Sequence, residues 1–181
     1  MTFEEVWVVT KNVSYESAYH QDEAQALFDC AISLPTGATV VEIGCQHGRS
    51  SSVLAQVSRE KQFDLHFIDP FEDFGTAASW ITTMRTIGSP FTLHAMKSED
   101  ASCSIRLPRV GLLHIDGDHE RRGVLIDCGF ITDVSPGGFV LAHDYGQDSL
   151  PDVFLVMNEM AAKFGLEQIK VVRTLAIWRK P

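Results

Sequence analysis

The stretch Val40–Ser51, VVEIGCQHGRSS, decides how this chain is read. An apolar run, Thr39–Ile43, ends at Gly44; Gly48 follows, and Arg49-Ser50-Ser51 opens a helical segment. A buried strand that turns sharply into a helix gathers backbone N–H groups and a helix N-terminus at one place. Glycines there let a ligand come close to the backbone. The two glycines are spaced GxxxG. Neither GK[ST] nor GxGxxG is present, which excludes a phosphate loop and matches a dinucleotide fingerprint poorly. The stretch predicts the cofactor turn of an α/β enzyme, with Cys45 as a small side chain filling it.

Outward from this turn the chain alternates. Residues 3–10 read as a short strand or an extended lead-in. Ser14–Ala31 reads as a helix, with Ser14 and Ser17 as N-cap candidates and Tyr15, Ala18, Tyr19, Ala26, Leu27, Cys30 and Ala31 recurring near helical spacing. After the first strand comes a helix over Arg49–Lys61. A strand over Asp64–Ile68 leads to a loop over Phe71–Gly75 and a helix over Ala77–Ile87. Further strands are expected over Phe91–Met96, Val110–Ile115 and Phe139–Ala142. Between them lie a polar turn with a short helix over Ser98–Ile105 and a helix over Arg121–Val134 stopped by Pro136-Gly137-Gly138. A last helix over Asp152–Phe164 precedes two closing strands, Glu167–Val172 and Thr174–Arg179, that read as an antiparallel pair.

Five rounds of strand then helix imply an α/β, mostly parallel sheet covered on both faces. The division expected is one domain over 1–181, with residues 1–36 as a helical lead-in and 37–181 as the core. Ligands of such sheets bind beyond the carboxyl ends of the strands. The polar clusters fall at those ends: Glu42–Gly48, Asp69, Lys97–Asp100, Asp116–His119 and His143–Tyr145.

Composition narrows the classes. Hydrophobic content of 45% and charged content of 22% are ordinary for a soluble globular domain. A formal net charge of −9 without a Lys/Arg stripe argues against a nucleic-acid backbone binder. Cys30, Cys45, Cys103 and Cys128 form no CxxC, so reduced thiols in a cytoplasmic protein are expected. The segment MTFEEVWVVT has no basic n-region, and no apolar run approaches the ~20 residues of a membrane span.

Several residues carry two readings. Asp69 ends its strand where an acid accepts both hydroxyls of a ribose, or it starts a turn before Pro70. Ser98, Glu99 and Asp100 reach an adenine amino group or cap the next helix. Asp118 caps the helix at Arg121 or joins Asp116 and His119 in a metal site. His119 is a base or a helix-start residue, and His143 is a base, a metal ligand or neither. His47 is expected to pack in the turn, His66, His94 and His114 to be buried strand residues, Asp127 to be a solvated helix position, and Arg121-Arg122 a solvated basic pair. Phe71 and Phe74 are the better placed aromatics for a ligand wall; Trp7, Tyr15, Tyr19 and Trp80 read as core or interface.

VVEIGCQHGRSS, then FIDP, then HIDGDHERRGVLIDCGFITDVSPGGFVLAHDY together resemble a class I S-adenosylmethionine-dependent methyltransferase. The IDGDH…PGG…HDY pattern is similar to that of the small bacterial methyltransferases grouped with antibiotic and sugar O-methyltransferases. The resemblance covers Thr39–Gly146 plus the closing strands. It implies a Rossmann-like, doubly wound, seven-stranded sheet with an antiparallel closing strand. It also implies that Glu42, Gly44 and Gly48 hold the methionine part of the cofactor beside Cys45, that Asp69 holds the ribose, and that Ser98 or Glu99 lies near the adenine. Asp116 would face the transferred methyl and the acceptor. Related O-methyltransferases hold a divalent metal with acids after the fourth and fifth strands, and Asp116 and Asp144 match those positions. His143 departs from the pattern, where another acid is expected, and suits Mn²⁺ or Zn²⁺ better than Mg²⁺.

The function expected is methyl transfer from S-adenosylmethionine to an oxygen of a small molecule, with Asp116, His119 and His143 as catalytic candidates. Methyl transfer needs an in-line approach and a deprotonated or polarised acceptor. No large insertion builds a lid, so the acceptor site is either open or completed by a second copy in a homo-oligomer. The rivals are a metal-dependent hydrolase or nucleotide-dependent oxidoreductase on the same fold, and a non-catalytic cofactor-binding module. Stabilisation by S-adenosylhomocysteine (SAH) but not by NAD(H) separates the first two from the expected reading.

Overall fold

A computed structural model describes residues 1–13, 19–107 and 109–181. Seven strands build one sheet: β1 (Thr39–Ile43), β2 (Asp64–Ile68), β3 (Thr92–His94), β4 (Val110–Ile115), β5 (Val134–Ala142), β6 (Glu167–Val172) and β7 (Leu175–Arg179). Their order is β3-β2-β1-β4-β5-β7-β6. The first five are parallel, and β7 runs antiparallel to both β5 and β6. This is the Rossmann-like, doubly wound sheet expected. The order reverses at β1/β4, so the carboxyl ends of these two strands open the crevice where ligands bind such sheets.

Alternation along the strands explains the two covered faces. Val40, Leu65, Phe67, Leu112 and Leu141 pack under α1 (Phe3–Val13), α2 (Gln21–Ser33), α3 (Arg49–Lys61) and α4 (Phe74–Ile87). Val41, Ile43, Leu113, Val140 and Trp178 pack under α5 (Ser98–Ser104), α6 (Arg121–Asp127) and α7 (Pro151–Phe164). Each fully buried large apolar side chain is worth roughly 1.5–3 kcal/mol relative to exposure, so these two layers hold the strand ends in fixed register.

Several boundaries differ from the sequence expectation. Residues 3–10 are helical. Phe3, Val6 and Thr10 bury at helical spacing while Val8 and Val9 stay exposed, so tertiary burial overrides the β-propensity of the valines. Thr2 and Glu5 also cap this helix reciprocally: the Thr2 amide donates to the Glu5 carboxylate at 2.7 Å, and the Glu5 amide to Thr2 Oγ1 at 3.4 Å. The helix expected from Ser14 begins at Gln21, with His20 as its N-cap. The proposed start at Ser14–Ser17, with Tyr15 and Ala18, lies outside the described residues.

α4 starts at Phe74 rather than Ala77, because Asp73 caps it by accepting the Thr76 amide at 2.8 Å. β3 keeps only three residues of the run expected over Phe91–Met96. The helix expected over Arg121–Val134 ends at Asp127 and passes into a 3-10 turn over Cys128–Asp133. Pro136-Gly137-Gly138 does not stop a helix. It forms an irregularity inside β5, where pairing jumps from Val110↔Val134 to Leu112↔Phe139. There Gly137 adopts φ +78° and donates to the Lys180 carbonyl at 2.7 Å.

Candidate active site

A cleft of about 500 Å³ opens at the carboxyl ends of the parallel strands. Its lining includes Gly44–Ser50 after β1, Asp69–Asp73 after β2, Lys97-Ser98 after β3, Asp116–His119 after β4 and His143-Asp144 after β5. The polar clusters that the sequence placed after successive strands therefore converge on one cavity.

The turn after β1 is held by its neighbours as much as by its own glycines. Gly44 (φ +81°) donates to the Ile68 carbonyl at 2.9 Å, and a Cβ there would collide with the Asp116 backbone. Gly48 (φ +89°) begins α3 and lies against Trp80. Asp69 reaches back across the sheet: Oδ2 accepts the amides of Cys45 at 2.7 Å and Gln46 at 3.1 Å, and Oδ1 accepts the Phe71 amide at 2.7 Å. The two amides fill the lone-pair sites of Oδ2, while Oδ1 keeps one for a hydroxyl donor in the cleft. Cys45 is buried, and burial pushes its thiol well above the usual range, so it is an inert filler.

Glu42 does not line the cleft. It is fully buried on the α2/α3 face, in register with His114 on β4, whose Nδ1 lies 3.0 Å from Glu42 Oε1. Ser51 donates its hydroxyl to the other carboxylate oxygen, and Trp80 Nε1 donates to Ser51 at 3.0 Å. Tyr19 OH lies 3.5 Å from His114 Nε2, and its ring packs against His143, tilted by 31° with 4.8 Å between centroids. Glu42 thus supports the turn and the cleft wall from beneath. Glu99 also lies outside the lining, in an ion pair with Arg122 at 2.7 Å, whereas Ser98 lines the cleft.

The far end of the cleft is a compact acid–imidazole cluster. His143, only 5% exposed, has Nδ1 3.2 Å from Asp116 Oδ1 and 3.4 Å from Asp144 Oδ1. Its Nε2 lies 3.6 Å from Glu23 Oε1 and 3.3 Å from Thr174 Oγ1. Burial alone would lower the imidazole; the carboxylates of Asp116, Asp144 and Glu23 prevail and push it up to about 12. Burial also works against the charge of Glu23, but His143, the His20 amide and Thr174 hold its carboxyl at about 2. Asp116 is raised by burial against the pull of His143. Asp144, in the left-handed region at φ +59°, resists burial and is held well below the usual carboxylate range by His119 and His143. His119 is half-exposed, with Nε2 2.8 Å from Asp144 Oδ2, and this bond raises it.

Ligand atoms of Asp116, His143 and Asp144 lie within 4.8 Å of one another, a spacing one divalent cation can span. With Nδ1 on that side, His143 presents its second nitrogen to Glu23 and Thr174, the outer hydrogen bond that orients imidazole ligands.

The remaining candidates sort by contact. His47 lines the cleft, and His66 pairs with His94 at 3.0 Å away from it. Asp118 turns the loop by accepting the Glu120 amide at 2.9 Å, while Asp152 accepts the Arg121 amide at 3.0 Å. Phe71 lines the cleft and packs on Trp80, while Phe74 is 86% exposed outside it. Asp127, expected in solvent, is fully buried and lines the cleft. Glu23 was missed altogether. Its only signal is an acid among Ala24, Ala26 and Leu27 on the buried face of α2.

Sheet order, antiparallel closing strands and a carboxyl-end cleft with these residues define a class I S-adenosylmethionine-dependent methyltransferase. The family description "Methyltransferase domain" matches residues 41–145, and the chain belongs to that family. No curated protein matches the sequence. Among solved structures, the O-methyltransferase NovP superposes with a TM-score of 0.68 at 16% identity, over 91% of this chain and 83% of that one. CalS11, a TDP-rhamnose 3'-O-methyltransferase of calicheamicin biosynthesis, gives 0.71 at 10% identity over 98% and 92%. The SAH-bound Podospora anserina methyltransferase PaMTH1 gives 0.70 at 12% identity over 99% and 87%. At these identities the likeness is one of fold.

Proposed function

We propose that this methyltransferase acts on an oxygen atom of a small molecule, with a divalent cation at Asp116, His143 and Asp144. The observation that carries the reading is the single cleft that joins the Asp69-clasped turn to the acid–imidazole cluster. S-adenosylmethionine, when bound, supplies an electrophilic methyl group on a sulfonium. The chain's own residues bind, orient and deprotonate. The turn at Gly44, Cys45 and Gly48 receives the methionine part, with Glu42 bracing the turn from below. Asp69 accepts from a ribose hydroxyl with the remaining lone pair of Oδ1, and Ser98 lies on the adenine side.

At the other end a cation held by Asp116, His143 and Asp144 would polarise the acceptor hydroxyl and lower its pKa. Imidazole in the donor set favours Mn²⁺ or Zn²⁺ over Mg²⁺. His119 is the proton acceptor: it reaches solvent, whereas both nitrogens of His143 face carboxylates. Since Asp144 raises His119, turnover rises as pH passes above the ordinary histidine range. NovP and CalS11 are named for O-methyl transfer, which supports an oxygen acceptor here. The net charge of −9 disfavours a nucleic-acid acceptor. Four unpaired cysteines suit a reducing compartment such as the cytoplasm, and among the described residues no helix is long and apolar enough to cross a membrane.

Calorimetry with SAH tests the cofactor site, and methyl transfer to a panel of hydroxylated acceptors, with and without chelator, tests the rest. SAH binding with chelator-sensitive transfer supports the reading. Equal activity in chelated and metal-loaded protein removes the cation and leaves the imidazolium of His143 as the positive charge of the site.

A further inference from the structure

Two imidazoles stand outside the cleft, and the proposed reaction gives them no task. His66 on β2 and His94 on β3 belong to neighbouring parallel strands, where His66 pairs with Thr92 and Ile68 with His94. Strand alternation puts both on one face of the sheet, because His66 lies two residues from Ile68, the partner of His94. His66 Nδ1 lies 3.0 Å from His94 Nε2, and the rings are nearly parallel, 8° apart. Both residues are half-buried at the edge of the sheet, and neither lines the cleft. On the far side of the His66 ring, the acceptor-only carboxylate of Asp64 lies 3.1 Å from Nε2. It favours the proton on Nε2 and leaves Nδ1 with its lone pair toward His94. Burial and the neighbouring His66 ring lower His94, which favours the neutral imidazole that binds metals.

We propose that His66 and His94 form a cross-strand clip for a late first-row divalent cation, Cu²⁺ or Ni²⁺ ahead of Zn²⁺, separate from the acid–imidazole cluster of the cleft. At metal–nitrogen distances of about 2.0–2.1 Å, two ligands at a right angle lie about 2.9 Å apart and two at the tetrahedral angle about 3.3 Å apart. The 3.0 Å between Nδ1 and Nε2 is closer to the right-angle spacing, which belongs to the square-planar geometry of Cu²⁺ and Ni²⁺ with nitrogen donors. In the bound form the shared proton passes through solvent to Nδ1 of His94, so both ligands stay neutral, and water fills the remaining positions. Asp64 then takes the outer place that orients an imidazole ligand through its second nitrogen. β3 is a three-residue edge strand, and the His94 carbonyl accepts the Asp69 amide at 3.2 Å. A cation across His66 and His94 pins that strand beside the carboxylate that clasps the glycine turn. The clip does not depend on which cofactor or acceptor the cleft takes.

Calorimetry of Cu²⁺ titrated into metal-free protein tests this, with the electron paramagnetic resonance spectrum of the bound ion as a second readout. Wild-type protein is expected to show a binding event whose spectrum carries splitting from two imidazole nitrogens. His66→Gln and His94→Gln are each expected to weaken that event at least ~10-fold, since even an outer partner of a metal ligand is worth that much. Any Cu²⁺ event at Asp116, His143 and Asp144 is expected to survive in both variants. Hydrogen exchange at the β3 amides is expected to slow with Cu²⁺ in the wild type and not in the variants. His94→Gln changes a half-buried edge position, so its result stands if His66→Gln fails to fold. A titration unchanged in His94→Gln overturns the inference and leaves the cation of the cleft untouched. A wild type that binds no Cu²⁺, or binds it with a spectrum showing a single nitrogen, overturns it as well.

Discussion

Asp69→Asn separates the two tasks the structure gives this carboxylate. Its oxygens accept three amides, Cys45 and Gln46 on Oδ2 and Phe71 on Oδ1. Asparagine is close in size but has one acceptor and one donor end. With the oxygen toward Cys45 and Gln46, the NH₂ faces the Phe71 N–H and one bond is lost; turned over, two are lost. The first orientation costs less. A hydrogen bond to a charged group is worth ~1.5–3 kcal/mol, so the expected destabilisation is about 2 kcal/mol. For a domain of this size that corresponds to a fall in Tm of roughly 4–8 °C. Thermal unfolding by circular dichroism reads this directly. Calorimetry with SAH reads the second task, in which Asp69→Ala is expected to weaken binding at least ~10-fold through loss of the ribose bond to Oδ1. A Tm for Asp69→Asn within about 1 °C of wild type would refute the clasp. A lowered Tm with unchanged SAH affinity would leave the clasp standing and remove the ribose contact.

Asp127 links stability to pH. Its folded carboxyl at about 6 lies above the ordinary 3.8, so the folded state holds the proton more tightly. Stability from this group is full below about pH 4 and is lost as pH rises through about 6, by up to about 3 kcal/mol at ~1.4 kcal/mol per unit. Urea unfolding of Asp127→Asn against wild type should show this slope removed, and parallel curves would contradict the assignment. Glu42→Ala leaves Nδ1 of the fully buried His114 without its partner and is expected to cost at least about 3 kcal/mol in chemical denaturation. Glu99→Ala is expected to leave SAH affinity unchanged, because the side chain pairs with Arg122 outside the cleft; a ~10-fold loss by calorimetry would return it to the adenine site.

The strands legible in the sequence were short segments with polar or turn residues at both ends. β1, β2, β4 and β6 match the expected bounds because their apolar runs are bracketed by polar or glycine residues. The expectation failed where burial on the far side of the chain outweighs local preference. Val8 and Val9 suggest a strand, but Phe3, Val6 and Thr10 bury on α3, and burial prevails. Pro136-Gly137-Gly138 suggests a stop, yet pairing with Lys180, far along the chain, carries β5 through it.

The site divides in the same way. That acids and histidines end successive strands is a property of the sequence, because strand period and turn composition are local. Which of them meet is not local. Asp69 clasps a turn on the neighbouring strand, Glu42 turns inward to His114, and His143 is wedged between Asp116, Asp144 and a glutamate from α2. These pairings follow from the strand order β3-β2-β1-β4-β5-β7-β6 and from the side of the sheet each helix covers. The α/β alternation and the ring of polar residues around the glycine turn are local properties of the sequence. Tertiary packing alone decided which carboxylates face the cleft, because a charge leaves water only where a distant segment supplies its partner.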